Sequence, residues 1–513
     1  MSTRHFIGMC AMATLLFASP TLAQKSADTL RIPLFSQLPL IDPYLYPVLN
    51  LQTVVDAIFD TLTKYDEEKR RYEPLLAKSW RRIDDTTLEF VLREDVVWHD
   101  GSPFSADDVV YTINWLIDPK TRLRYKHTWE WIARVEKVNG NTIRIVAKRQ
   151  TPFDLMVLSY DVPIFPKHIH SALDDKNEFG RRPLGTGAYV LSGMFTNQDI
   201  SLVKNNKYKH GGTVKPENNI KNIKILSLSD TSVAMAKMRV GELDIIASTS
   251  LLVDQALALK DAGFIISIRE NFAIRYLAFD VRGRSGFAPL LDIRVRRALV
   301  HAINREELAT LQAAGLPAGE APKGLCRIFQ AGCGFSERLP VYDPSKARDL
   351  LAEAGYADGF DLKITTPPAM RSFVEAVAGQ LRKVGIRATV DINAIPVLLK
   401  KRQEGSVAAL ANIVLGSDRP DVYGTLGDST FTPGNFDMFG DSRVHELIAK
   451  SNVEVNDSVR RKITQEVFDR VVRGAYMVPL YFGYHPVAYT GELELRASSG
   501  GSLLPLHNLN WVN

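Results

Sequence analysis

Residues 74–109 read PLLAKSWRRIDDTTLEFVLREDVVWHDGSPFSADDV, and this stretch carries the strongest fold signal in the chain. Within it, residues 87–92 alternate in the manner of a half-buried strand. Gly101 supplies a turn, and Pro103 fixes the entry to a helix that we predict over 105–116. Ser105 is a natural N-cap, and an acidic residue three positions later favours the helix start. A strand that leads through a short turn into a helix is typical of α/β folds.

The same alternation continues along the chain, which predicts α/β lobes rather than an all-α or all-β protein. Two extended segments, 272–281 and 478–489, are expected to be the crossings between one lobe built from both ends of the chain and a second lobe inserted between them. The other predicted strands are 30–34, 142–147, 187–191, 223–226, 243–246 and 386–392, and the other predicted helices are 50–62, 231–240, 292–311, 344–355 and 372–384.

The N-terminus has the organisation of a secretory signal peptide. A short basic start at Arg4 and His5 precedes the apolar run 6–18, and residues 21–23 supply the small-residue pattern before a cut. The apolar run is too short to span a bilayer, and no later stretch approaches the about 18 continuous apolar residues that a spanning helix needs. We therefore expect an exported protein without a lipid anchor.

Composition excludes several classes of function. The 63 Lys and Arg residues nearly balance the 58 Asp and Glu residues, and they are interspersed, so no basic stripe for nucleic acid is present. Neither a Gly-x-Ser-x-Gly elbow nor a His-Glu-x-x-His helix occurs, so we predict no catalytic residues, no metal site and no cofactor. About 490 residues remain after the signal peptide, which is too many for a single core.

Cys326 and Cys333 are the two cysteines left once the signal peptide is removed. An even pair at this short spacing in an oxidising compartment favours a local disulfide. Free thiols are the first alternative. A metal site is the poorer one, because no second cysteine pair or nearby histidine completes a tetrahedral set.

Several motifs resemble a known family. The segments 74–80 and 98–109 are followed, in the same order as in that family, by 184–189, 241–245, 294–299, 302–305 and 343–351. They are similar to the motifs of the solute-binding proteins of dipeptide, oligopeptide and nickel importers, which are the family-5 extracellular receptors. The resemblance spans nearly the whole chain after the signal peptide.

The resemblance implies an α/β, two-lobed periplasmic binding protein fold of type II, the large-cleft class, with an extra α/β subdomain in the first lobe. The expected division places a signal peptide at 1–23 and the second lobe at 276–478. The first lobe takes 24–58, 184–275 and 479–513, and its extra subdomain takes 59–183.

The implied function is that of the substrate-binding component of an ABC importer. The protein is expected to capture a peptide or peptide-like solute in the periplasm, as a monomer and without chemistry, and to deliver it to the permease subunits in the inner membrane. An opine, an oligosaccharide or a metal chelate is the alternative solute. A periplasmic chaperone or a chemosensory receptor is the alternative of another class.

The main candidate binding loop is read from the resemblance. In that family a loop rich in Asp and Pro in the second lobe carries a carboxylate for the amine of the ligand. Here the loop contains Asp418, Arg419 and Asp421, so an arginine stands where the first Asp of Asp-Pro-Asp is usual. Arg419 either neutralises Asp418 or offers its guanidinium to a carboxylate or phosphate of the ligand. We predict all three as solute contacts, with a solvated turn as the alternative.

Three further residues are candidate solute contacts. Arg371 follows an apolar loop that leaves a strand, a usual place for ligands in α/β lobes, and is predicted as a carboxylate clamp; an exposed helix start is the alternative. Tyr44 and Tyr46 lie in the loop that faces the cleft in related proteins, and we predict them as aromatic walls rather than ordinary packing.

Overall fold

The structure of the chain is a computed structural model that describes residues 28–35, 38–46, 51–123, 125–194, 199–228, 230–247, 251–313, 321–415, 419–427, 430–496 and 504–512. The predicted signal peptide lies outside these ranges. The strands are β1 (Thr29–Leu34), β2 (Thr63–Asp66), β3 (Arg71–Pro74), β4 (Ala77–Asp84), β5 (Thr87–Leu92), β6 (Ile132–Lys137), β7 (Thr142–Ala147), β8 (Tyr189–Met194), β9 (Ile200–Lys204), β10 (Asn222–Ser227), β11 (Ile245–Ala247), β12 (Ile265–Phe279), β13 (Asp361–Thr366), β14 (Arg387–Ile392), β15 (Ala409–Leu415), β16 (Met477–Tyr489), β17 (Leu493–Leu495) and β18 (Leu509–Trp511).

The helices lie between groups of these strands. They are α1 (Gln52–Ile58), α2 (Ala106–Ile117), α3 (Asp154–Tyr160), α4 (Lys167–His170), α5 (Asn177–Arg181), α6 (Thr231–Arg239), α7 (Val253–Asp261), α8 (Ile293–Ala302), α9 (Arg305–Ala313), α10 (Pro344–Glu353), α11 (Arg371–Arg382), α12 (Ile395–Glu404), α13 (Tyr423–Leu426), α14 (Ser442–Ser451) and α15 (Asp457–Arg473). Within the described ranges, none of the helices has both the length and the apolar character that crossing a bilayer requires.

Helix α2 begins as its sequence predicts. The Ser105 hydroxyl accepts a hydrogen bond from the backbone N–H of Asp107, and the Asp108 carboxylate accepts one from the backbone N–H of Ser105. This reciprocal capping satisfies donors that the first helical turn leaves open. Gly101 has φ of +92°, a conformation that glycine adopts readily. The segment from β5 to α2 is therefore specified by its local sequence.

The single helix predicted over 292–311 is wrong. The chain forms α8 and α9 instead, because Ile303 leaves the helical region with φ −102° and ψ 112°. Asn304 then accepts a hydrogen bond from the backbone N–H of Glu307 with its side-chain oxygen at 3.1 Å. An asparagine in this place caps a new helix, and this capping signal interrupts an otherwise continuous apolar pattern.

One part of the molecule, here called the first lobe, is built on two sheets. Their strand orders are β1-β10-β9-β8 and β4-β5-β7-β6, and the second of these lies in the predicted extra subdomain. Ile32 and Ile223 of the first sheet belong to the same continuous hydrophobic core as Phe90 and Ile143 of the second. The two sheets thus share one core.

The other part, here called the second lobe, surrounds the strands β13, β14 and β15. A six-stranded sheet of order β11-β16-β12-β15-β13-β14 connects it to the first lobe. Alternate side chains of β12 point to opposite faces, so Leu277 and Phe279 enter one core of the second lobe while Tyr276 and Ala278 enter another.

The crossings between the lobes are the long strands β12 and β16. They pair antiparallel from Ile265 opposite Tyr489 to Ala278 opposite Met477, with irregular register between Glu270 and Ile274. The sequence predicted extended chain over 272–281 and 478–489, and both strands begin earlier than predicted. An irregular pair of strands between two cores is a place where lobes can rotate relative to each other.

Candidate functional site

The two lobes meet at a junction rich in aromatic side chains. From the first lobe it contains the hairpin β2–β3 and helix α3, and from the second lobe the segments 326–333 and 419–423. The ring of Phe153 stacks on the ring of Tyr423 with 3.8 Å between centroids. At the tip of the hairpin, the guanidinium of Arg70 lies 4.4 Å from the ring centroid of Phe329. These contacts define the candidate site.

Tyr65 and Tyr72 extend this junction along the hairpin. Their rings pack edge to face with 5.2 Å between centroids. Burial and the nearby Asp421 carboxylate raise the pKa of Tyr72 well above its usual value. A tyrosine of the first lobe therefore lies close to a carboxylate of the second.

Arg419 joins the lobes by charge. Its Nη2 donates a hydrogen bond to Asp161 Oδ1 at 2.5 Å, and its guanidinium lies 4.5 Å from the ring centroid of Tyr160. Burial raises the pKa of the Asp161 carboxyl, although Arg419 acts in the opposite direction. The structure thus brings the predicted contact Arg419 into the junction, where a carboxylate of the protein itself holds it.

Asp421 is a structural residue that is paired with Arg460 inside the second lobe. Its two carboxylate oxygens accept hydrogen bonds from Arg460 at 2.7 and 2.6 Å, and both side chains are 3% exposed. Oδ1 also accepts the backbone N–H of Tyr423 at 2.7 Å. The expectation that Asp421 contacts the solute does not fit this arrangement, because both oxygens are engaged in a buried pair. Asp418 lies outside the described residues.

Cys326 and Cys333 form a disulfide with their Cα atoms 6.0 Å apart. The loop that the disulfide closes carries Phe329 and Gln330. The Gln330 side chain accepts the backbone N–H of Arg327 at 2.8 Å and donates to the carbonyl oxygen of Arg419 at 3.3 Å.

Backbone hydrogen bonds join this loop to the next segment. The N–H of Ala331 donates to the carbonyl of Pro420 at 2.8 Å, and the N–H of Val422 donates to the carbonyl of Ala331 at 3.1 Å. Gly332 has φ of +73°, and an added Cβ would lie 2.9 Å from a methyl group of Val422. The disulfide loop and the segment 419–423 therefore form one unit, which presents Arg419 to the first lobe.

The prediction that Tyr44 forms an open aromatic wall is wrong. Tyr44 is 1% exposed, and its hydroxyl donates to the carbonyl of Pro163 at 2.5 Å. Its ring packs edge to face against Trp115, Trp129 and Phe165. The loop turns this tyrosine into the core of the first lobe, where its apolar area is removed from water. Tyr46 is half-buried and packs against the same core.

Arg371 begins helix α11 with an exposed side chain. The side chain is 63% exposed, and its Nη1 is 3.9 Å from the Glu375 carboxylate one helical turn later. This corresponds to the alternative of an exposed helix start, and the described contacts do not connect Arg371 to the junction.

A pocket adjoins Arg419 on the side of the first lobe. Its empty volume is about 380 Å³, including the space that opens to solvent, and its lining includes Thr61, Lys64, Ser159, Tyr160, Lys215 and Arg419. Because this volume includes open solvent, the pocket is a recess at the surface beside Arg419 rather than an enclosed cavity.

Buried charges support the floor of this pocket. Lys215 Nζ donates to Asp60 Oδ1 at 2.8 Å, and His210 Nε2 is 2.8 Å from Asp60 Oδ2. Although burial alone would raise it, Lys215 and His210 hold the pKa of Asp60 well below its usual value. Lys215 is thus neutralised inside the protein, whereas Lys64 is 20% exposed beside Asp56. Among the described residues, His, Cys, Asp and Glu form no group of three that could hold a metal ion.

Sequence reasoning missed the aromatic residues of the junction, which are Tyr65, Tyr72, Phe153, Tyr160, Phe329 and Tyr423. None of them lies in a motif that marks a ligand. One signal in the sequence is that Tyr65 stands between charged residues, which is typical of a strand with a large ring on one face. The sequence does not indicate which part of the protein contacts that face.

Comparisons with known proteins agree with this architecture. A family model described as bacterial extracellular solute-binding proteins, family 5 Middle, matches residues 71–435. Heme-binding protein A of Haemophilus influenzae is 25% identical over 457 residues, which cover 82% of this chain and 81% of that protein. Di/tripeptide-binding protein 1 of Pseudomonas aeruginosa is 25% identical over 458 residues, which cover 83% of this chain and 83% of that protein.

A solved structure resembles the whole fold. NikA from Brucella suis, in complex with Fe(III)-EDTA, superposes with a TM-score of 0.82 at 19% sequence identity, covering 94% of this chain and 100% of that one. At this identity the likeness concerns the fold alone. It confirms the two-lobed α/β binding protein fold that the sequence predicted.

Proposed function

Since this chain belongs to the bacterial extracellular solute-binding proteins of family 5, we propose that its solute is a peptide or a peptide-like small molecule held at the junction between the two lobes. Members of this family capture small solutes or peptides and work with the permeases of ABC importers. This chain delivers its solute to such a permease from the periplasm, as a monomer and without catalysing a reaction.

The observation that carries the proposal is the junction itself. Aromatic rings of both lobes and the guanidinium of Arg419 face each other across it, and the Phe153–Tyr423 stack brings the lobes into direct contact. Aromatic rings with a few polar groups are the usual lining of small-molecule sites, because they combine apolar area with orientation. Closure of the lobes would enclose a solute that lies there.

A peptide-like solute is favoured over the alternatives by the chemistry of the lining. The rings of Tyr65 and Tyr72, which pack edge to face, supply area for side chains. Arg419 and Lys64 supply donors for carboxylate and carbonyl oxygens. A relative is a di/tripeptide-binding protein. An opine shares these groups, whereas an oligosaccharide or a metal chelate lacks the combination of side chain and terminal carboxylate.

Two experiments test the proposal. A thermal-shift screen of the protein without its signal peptide, after removal of carried-over ligand, uses peptides, opines, oligosaccharides and nickel chelates. A solute at a hundred times its dissociation constant adds about 2.7 kcal/mol to the free energy of unfolding. We expect the largest shift with a peptide or an amino-acid conjugate. A strain that lacks the gene should then fail to import that solute, and normal uptake would overturn the transport role.

A further inference from the structure

Arg419 is held in position by the second lobe. Its carbonyl oxygen accepts a hydrogen bond from Gln330, and the next residue, Pro420, is bonded to the disulfide loop through Ala331. Its guanidinium rests on the ring of Tyr160. A guanidinium whose backbone and plane are both fixed loses little freedom when it binds a planar oxyanion.

The guanidinium has donors to spare. Among the described residues its hydrogen-bond partner is Asp161, which Nη2 reaches at 2.5 Å. An arginine offers five N–H donors in a fork that matches a carboxylate. The Asp161 carboxylate therefore occupies a position in which the Arg419 guanidinium can bind a carboxylate.

Asp161 is poorly stabilised by its own lobe. It directly follows the C-terminal end of helix α3, where the unpaired carbonyl groups disfavour negative charge. Burial raises the pKa of its carboxyl group, so the surroundings other than Arg419 disfavour the ionised form. Its side chain is nevertheless 21% exposed, so the carboxylate is in contact with solvent.

The adjoining pocket has further cations in its lining. Arg419 is the residue of the second lobe in its lining, and the other lining residues come from the first lobe. Lys215 is saturated by three oxygen acceptors, which are the carbonyls of Asp56 and Phe59 and the carboxylate of Asp60. Lys64 has one carboxylate partner, Asp56, and keeps ammonium donors for a ligand.

We propose that the solute of this protein carries a carboxylate that displaces Asp161 from Arg419 and lies in the adjoining pocket, within reach of Lys64. Asp161 is thus an internal competitor that occupies the anion site until an acidic solute arrives. The inference rests on the proposed function and narrows its solute to a molecule with a carboxylate at one end. That carboxylate belongs either to the terminus of a peptide or to a sugar acid.

Calorimetric titration of the full mature protein tests this inference. The probes are the tripeptide Ala-Ala-Phe, its C-terminal amide, glutathione and digalacturonate. A probe with a free carboxylate should bind, and the amide should bind about 10- to 100-fold more weakly than the free tripeptide, because a charge-assisted hydrogen bond is lost. Tight binding of the peptides or of digalacturonate alone identifies the source of the carboxylate.

Two variants distinguish two roles of the Arg419–Asp161 pair. In one role Asp161 competes with the solute for Arg419, and in the other the pair acts as a latch that only holds the lobes together. Arg419→Gln should weaken binding of the carboxylate probe about 10- to 100-fold, whereas Asp161→Asn should strengthen it, because the internal competitor is neutral. A latch would give the same sign for both, since either variant breaks the ion pair that holds the lobes together. Asp107→Asn, which breaks the exposed pair of Asp107 with Lys137, is the matched control and should change nothing.

The contradictory outcomes are distinct. Weaker binding in both Arg419→Gln and Asp161→Asn would contradict the role of Asp161 as an internal competitor. Equal affinity for the tripeptide and its amide would contradict the requirement for a carboxylate on the solute. Binding restricted to probes without a carboxylate also overturns the inference, while solute uptake that depends on the gene leaves the proposed function standing.

Discussion

The ring of Phe153 in the first lobe lies on the ring of Tyr423 in the second, with 3.8 Å between centroids and 24° between the planes. The two residues are 270 positions apart in the sequence, and they meet because the crossing strands bring the lobes together. The contact therefore joins the two lobes directly.

Tyr423→Ala should weaken solute binding about 2- to 12-fold, because an aromatic pair contributes about 0.5–1.5 kcal/mol beyond the area that it buries. Calorimetric titration measures the change. Tyr423→Phe keeps the ring and should bind as the unaltered protein does, and Tyr125→Ala, on an exposed ring outside the junction, is the second control. Equal affinity in Tyr423→Ala would show that the stack does not contribute to the solute-bound form.

The paired substitution of Cys326 and Cys333 by serine should lower the free energy of unfolding by about 2.5 kcal/mol, from the chain entropy of a short closed loop. Solute affinity should fall as well, because the loop orders Gln330 and hence Arg419. Urea unfolding and titration give the two numbers.

A reductant serves as the matched control for this pair. It should reproduce both losses in the unaltered protein and cause none in the double variant. Unchanged affinity after reduction would contradict the role of the disulfide loop in presenting Arg419.

Asp421→Asn should lower the free energy of unfolding by about 3–5 kcal/mol, because it leaves the buried Arg460 without its charged partner. The double variant Asp421→Asn/Arg460→Met should recover much of the loss, since no unpaired buried charge remains. Urea midpoints of the four proteins form the double-mutant cycle. Asp361→Asn, in the exposed pair with Arg387, is the control and should cost less than about 1 kcal/mol.

The fold was readable from the sequence where local signals decide it. The cap at Ser105, the turn at Gly101 and the alternating strands act over a few residues, and the sheet follows from them. The break between α8 and α9 was missed because the capping side chain of Asn304 lies inside an apolar pattern that continues on both sides.

The site was less readable, because its contacts cross the chain. Nothing near Asp421 in the sequence distinguishes a carboxylate for a solute from one that pairs with Arg460, which lies 39 positions away. Tyr44 shows the same difficulty, since a tyrosine in a loop suits an open wall and a core equally well, and Trp115 and Trp129 decide between them. Arg419 was predicted as a contact, but its partner Asp161 was not.

Ionisation of Asp42 should lower the free energy of unfolding as the pH rises from about 4 to about 6. The residue is fully buried, and burial raises the pKa of its carboxyl group from 3.8 to about 6. In this window the unfolded chain has lost the proton and the folded chain keeps it, so deprotonation favours unfolding. The difference of about two pKa units corresponds to about 3 kcal/mol.

Asp42→Asn removes this titration. The free energy of unfolding of this variant, minus that of the unaltered protein, should therefore increase by about 3 kcal/mol between pH 4 and pH 7. Urea unfolding at several pH values measures the difference, which cancels the contributions of other groups. A constant difference across the window would contradict a raised pKa of Asp42.

Hydrogen–deuterium exchange, with and without the probe that binds most tightly, tests most directly whether a solute is held between the lobes. If it is, the exchange of residues 63–74 in the first lobe and of residues 419–427 in the second should slow together when the probe binds. Binding that protects one of these segments and leaves the other unchanged would contradict capture at the junction.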